Sequence, residues 1–145
     1  MISLKKLAIG TVVTMLLVAA CSSSSGGGGG GGGSQTVVTK STGAGTVLVA
    51  GSNSMTVYTF ASDAAGSGTS ACTGACITKW PALTVPAGTT PTAGSGVTGT
   101  VGTITRADNG ALQVTYNGLP LYFYSGDSAP GDTNGNYPGW SSVKP

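Results

Sequence analysis

The sequence predicts an all-β fold, a small sandwich or barrel built from two tandem repeats. Three observations predict it. From Thr36 onward the chain is rich in Val, Thr and Tyr and is broken about every 8 to 12 residues by Gly, Asn, Pro or Ser. No stretch carries a sustained helical period. Tyr58-Thr-Phe60-Ala-Ser-Asp63 returns as Tyr122-Phe-Tyr124-Ser-Gly-Asp127, 64 positions further on, with Leu48 falling on Leu112.

The first element is not part of that fold. Lys5 and Lys6 form a positive start, and Leu7 to Ala20 is an apolar run too short to cross about 30 Å of hydrocarbon as a helix, so residues 1–20 read as a signal peptide. The run ends in Val18-Ala19-Ala20-Cys21, which looks like a lipobox: an aliphatic residue, two small residues at the cut, and a thiol that takes a diacylglycerol. Cys21 is therefore expected to be an acylated anchor in a lipid membrane, since two or three chains hold firmly at about 0.8 kcal/mol per buried methylene. Residues 21–35 then form a tether of Ser and Gly with nothing to bury. Ser22 stands where an Asp would signal inner-membrane retention in a Gram-negative cell. The expected address is the cell envelope, and the outer membrane where there is one.

The folded domain is expected over residues 36–145, with repeat 1 at about 45–83 and repeat 2 at about 103–145. In repeat 1, Thr46 to Ala50 and Met55 to Phe60 flank Gly51-Ser52-Asn53-Ser54 as a hairpin. In repeat 2, Thr103 to Arg106 and Ala111 to Tyr116 flank a turn with Asn109-Gly110, and Asn117-Gly118 turns the chain into Leu119 to Tyr124. Pro120 cannot donate to a ladder and favours a strand start or an edge. Trp80-Pro-Ala-Leu83 matches Trp140-Ser-Ser-Val143 at an offset of 60, and Thr84 to Gly102 reads as a Gly/Thr/Pro-rich connection. Each unit is too small to close a core alone, so the two must pack together.

Composition restricts the chemistry. Charged residues make up only 7% of the 145, with no His and no Glu, so the commonest general bases and metal ligands are missing. Beyond the signal segment, Lys40, Lys79, Arg106 and Lys144 face Asp63, Asp108, Asp127 and Asp132. Such a balance gives no electrostatic footprint for nucleic acid. No cofactor and no metal site is expected: Asp132-x-Asn134-x-Asn136 resembles the opening of a calcium loop but lacks Gly at six and Glu at twelve.

The remaining motifs each have two readings. Residues two apart in a strand share a face, so Tyr58 with Phe60 and Tyr122 with Tyr124 either fill the core with Trp80 and Trp140 or form an aromatic platform for an envelope polysaccharide. The core is the expected role. Asp63 and Asp127 follow the aromatic strands, where a carboxylate holds a turn by accepting backbone N–H groups; the competing role is a catalytic carboxylate pair. Cys72 and Cys76 in an exported chain are expected to form a disulfide worth roughly 2 kcal/mol on the loop-entropy model. The competing role is a redox-active dithiol.

From about Gly45 to Pro145 the chain resembles the family of predicted bacterial lipoproteins with a Tyr-x-(Phe/Trp/Tyr)-x-x-Asp motif, also called the secreted repeat of unknown function. The motifs that carry the resemblance are Cys-x-Gly-x-Cys, Trp-Pro-x-Leu, Ile-Thr-Arg-Ala-Asp, Thr-Tyr-Asn-Gly-x-Pro-Leu-Tyr, Pro-Gly-Asp-Thr-Asn-Gly and the final Val-Lys-Pro. Trp80-Pro-Ala-Leu83 and Trp140-Ser-Ser-Val143 depart from it, where relatives often have a second proline or a second aromatic. The resemblance implies an envelope location and a tandem repeat, with no activity. The expectation is a membrane-anchored envelope lipoprotein with a structural or binding role toward polysaccharide or protein, the alternative being a redox or carboxylate-dependent envelope enzyme.

Overall fold

The structure, a computed structural model, describes residues 34–145. The expected signal peptide, Cys21 and the tether up to Gly33 lie outside the described residues. The described chain is nearly all β: β1 Val37–Thr42, β2 Gly45–Ala50, β3 Tyr58–Phe60, β4 Thr84–Val85, β5 Val101–Thr105, β6 Leu112–Tyr116, β7 Leu119–Pro120 and β8 Trp140–Ser142. They form three small sheets, β1-β2, β3-β8, and β4-β6-β5 with β7 also on β6, every named pair antiparallel.

Several elements differ from the sequence expectation. The strand expected over Met55 to Phe60 as the hairpin partner of β2 is shortened to β3, which pairs with β8 while Thr56 makes an isolated bridge to Val49. β4 lies in the segment expected as a connection. β1 was not anticipated; it pairs along its whole length with β2 and carries the first half back to Val37. A five-residue helix, α1 Ala75–Lys79, closes the cysteine loop, too short to leave a periodic signature. The run expected as one strand over Leu119 to Tyr124 is a two-residue strand, β7, followed by isolated bridges at Tyr122. The Asn117-Gly118 turn is as expected: both residues have positive φ (49° and 80°), the geometry that Asn-Gly accepts in a two-residue hairpin.

The two halves repeat bond for bond. β2 carries β1 on one edge, and on the other edge it meets Val143, through Leu48 N–H to Val143 O, and Val57, whose N–H donates to Leu48 O. β6 carries β5 on one edge, and on the other it meets Leu83, through Val114 N–H to Leu83 O, and Leu121, whose N–H donates to Val114 O. Leu48 thus corresponds to Val114 and not to Leu112. The sequence alignment slips by two because the turn before Val57 is two residues longer than the Asn117-Gly118 turn before Leu121. These paired positions fill one aliphatic core of Leu48, Val57, Leu83, Val114, Leu121 and Val143, with Val37, Ala50 and Tyr116.

The segment between the halves is shorter and better tied than its composition suggests. Its ends are taken by β4 and β5. Thr92 O accepts the N–H groups of Thr36 and Val37, and Gly94 N–H donates to Val37 O.

Candidate functional site

The halves are stitched together by exchange. Tyr58 and Tyr122 face each other in an antiparallel bridge, each N–H donating to the other's carbonyl, at 2.8 and 3.0 Å. The Trp-led strands cross over: β8 of the second half pairs with β3 of the first, and Ala82 of the first half bridges Tyr122 of the second. An approximate twofold axis therefore passes between Tyr58 and Tyr122, and the motif residues gather around it.

The hydroxyls and carboxylates are exchanged in the same way. Tyr58 donates to Asp127 Oδ2 at 2.6 Å, and Tyr122 donates to Asp63 Oδ2 at 2.7 Å. The other oxygen of each carboxylate holds its own loop, Asp63 Oδ1 accepting Ala71 N–H at 2.6 Å and Asp127 Oδ1 accepting Asn134 N–H at 3.0 Å. The turn-holding bonds follow the sequence reading. The bonds to the opposite repeat's tyrosine do not, because their partners are 59 and 69 residues away and only the crossed strands bring them together.

The aromatic rings form a continuous pile across the axis. Trp80 stacks on Trp140 at 3.7 Å between centroids and 1° between planes; Phe60 covers the outer side of Trp140 at 4.3 Å, and Tyr124 covers Trp80 at 4.6 Å. Tyr58 meets Trp80 edge-on and Tyr122 meets Trp140 edge-on. Tyr58, Tyr122, Trp80 and Trp140 are buried; Phe60 and Tyr124 are half-buried at the two ends of the pile, and Tyr137 is 45% exposed. Within the pile, only these outer rings reach solvent.

Cys72 and Cys76 are disulfide-bonded with 5.2 Å between their Cα atoms. Cys72 is wholly buried against the aromatic pile. Asp132 and Asn136 are engaged with backbone: Asp132 Oδ2 accepts Ser128 and Ala129 N–H, which holds its carboxyl below the usual range, and Asn136 Oδ1 accepts Ser142 N–H. Asn134 is exposed and bonds through its backbone N–H to Asp127 Oδ1. No cluster of three or more metal-ligating His, Cys, Asp or Glu side chains occurs among the described residues.

One participant was missed. Arg106, the chain's sole arginine, is 2% exposed and uses every N–H it has: Nε and Nη2 clamp Asp108, Nη1 donates to Gln113 Oε1 and Ser70 Oγ, and Nη2 also donates to Cys72 O. Ser70 Oγ in turn lies 2.6 Å from the Tyr122 hydroxyl. The signal lay in Ile-Thr-Arg-Ala-Asp, where one Arg precedes one Asp by two residues in a chain almost free of charge.

Burial, with a carboxylate as hydrogen-bond acceptor, pushes the Tyr122 phenol up to about 12, and the same two causes push Tyr58 up as well. Both phenols ionise near 10 when unfolded. Their contribution to stability is thus complete below pH 10 and is lost as pH rises toward the folded values. Urea unfolding followed from pH 8 to pH 12 is expected to show a falling midpoint above pH 10, and the Tyr58→Phe, Tyr122→Phe double variant is expected to show a flatter profile.

A family model described as a secreted repeat of unknown function matches residues 38–84 and 102–141, more than half of the chain and one match for each half of the twofold. Neither the curated proteins nor the solved structures give a match.

Proposed function

Since the chain belongs to the family of secreted repeats of unknown function, we propose that it is a lipid-anchored protein of the cell envelope, held at Cys21, with a structural or binding role. The observation that carries the anchor is the run Lys5-Lys6, Leu7 to Ala20 and Val18-Ala19-Ala20-Cys21, whose parts together serve export and lipidation. Ser22 favours the outer membrane where the envelope has one. For the domain, the supporting observation is that both motif carboxylates are engaged with buried tyrosines and loop N–H groups. A carboxylate pair working as acid and base would need one of them free to meet substrate. What such a domain offers its surroundings is a rigid body with Phe60, Tyr124 and Tyr137 at its aromatic edges, suited to envelope polysaccharide or protein.

Metabolic labelling with palmitate tests the anchor. The wild-type chain is expected to take label and to sediment with membranes, and Cys21→Ser to lose the label. A Cys21→Ser chain that still takes palmitate and sediments with membranes would overturn the reading.

A further inference from the structure

The two halves part company at one position of the aromatic pile. Ala61 N–H donates to Gly139 O at 2.8 Å, and its counterpart Ser125 N–H donates to Lys79 O at 3.0 Å, so Lys79 in one half stands where Gly139 stands in the other. Lys79 lays its ammonium 5.9 Å from the centre of the Tyr124 ring and 5.2 Å from that of Tyr137. Phe60 takes the place of Tyr124 in the other half, stacked on Trp140 where Tyr124 lies tilted on Trp80. Among the described residues no cationic side chain lies over its ring. A Cβ at Gly139 would lie 3.9 Å from Phe60 Cε2, so a side chain there would run onto the ring, but φ is +88°, a conformation that favours glycine.

What remains is an open cleft of about 340 Å³ lined by Phe60, Ala61, Asp63, Leu119, Gly139 and Ser141. We propose that this cleft binds a primary alkylammonium group of the lysine type, its stem lying over Phe60 and its ammonium taking the place that the Lys79 ammonium holds in the other half. The proposal rests on the binding role above and names its ligand class. Phe60 offers an aromatic face to a cation. Asp63 lines the cleft with its carboxylate oxygens engaged by Ala71 N–H and the Tyr122 hydroxyl, so it adds a negative charge near the wall without a direct bond to the ligand. Ser141 adds a hydroxyl oxygen, and no basic side chain lines the cleft to repel the ligand.

The test is a titration of the mature lipoprotein in detergent with Nα-acetyl-lysine methylamide, followed by amide NMR shifts. Saturable shifts are expected at Phe60, Ala61, Gly139 and Ser141, with binding at least tenfold weaker for the norleucine analogue, which has the apolar stem without the ammonium. Phe60→Leu is expected to weaken binding about threefold to fivefold, the scale of an exposed cation–π contact. Ser141→Trp, at an exposed position, fills the cleft without touching the core and is expected to abolish the shifts. Equal binding of the norleucine analogue, shifts confined to other residues, or no shifts from the lysine probe would overturn the proposal. The palmitate result stands apart from all of these, so failure of the ligand and failure of the anchor are read separately.

Discussion

Trp80→Ala is expected to destabilise the domain by about 3–5 kcal/mol, measured by urea unfolding, a large share of the roughly 5–15 kcal/mol that holds a typical domain folded. Trp80 is 4% exposed and touches four other rings: Trp140 face to face, Tyr124 at a tilt, and Tyr58 and Tyr137 edge-on. Removing it leaves a cavity on the axis, where neither half can collapse without breaking the crossed strands. Because the indoles lie parallel at 3.7 Å, their transitions couple, and near-ultraviolet circular dichroism should lose its paired signal in Trp80→Ala and Trp140→Ala alike. The double variant should cost less than the two single changes summed, by about 0.5–3 kcal/mol, since each single change already removes the stacked pair. Fully additive losses would mean that the rings fill space independently.

Much of this centre was legible in the sequence, and the reason the rest was not is specific. Tyr58, Asp63, Trp80 and their counterparts stand out because a repeated motif shows at any separation, and the Asn117-Gly118 turn because its conformational demand is local. β1 escaped notice because Lys40-Ser41-Thr42 reads as polar loop once the apolar pair Val37-Val38 is passed; the ladder with β2 holds it in place. The exchange of tyrosines and carboxylates has no local signature. A motif repeated 64 residues on is compatible with two self-contained halves as well as with two interlocked ones, and only the pairing of β8 with β3 decides. The cleft at Phe60 was hidden for a related reason: the difference between Lys79 and Gly139 acquires meaning only once Ala61 and Ser125 are known to bond those two residues.

Arg106→Met is expected to cost stability on the scale of the buried neutral acceptors it leaves short of a donor, about 1–3 kcal/mol for each acceptor left unsatisfied. The loss falls unevenly on its partners. Asp108 keeps 29% of its side chain in solvent and can be hydrated, although the guanidinium that holds its carboxyl below the usual range would be gone. Gln113 is wholly buried and the Cys72 carbonyl sits beside a buried residue, so both acceptors would be left with fewer donors and no route to bulk water. Arg106→Lys is expected to recover only part of the loss, because one ammonium cannot reproduce a planar fork that serves Asp108, Gln113, Ser70 and Cys72 at once. Arg106 also reaches from one half into the other, its Nη groups pinning Ser70 and Cys72 at the mouth of the disulfide loop. Losing that pin should expose the Cys72–Cys76 bond, and a small thiol reductant is expected to cleave it faster in Arg106→Met than in the wild-type chain under conditions where both remain folded. An unchanged reduction rate alongside the full stability loss would show that the loop is held by the aromatic pile alone.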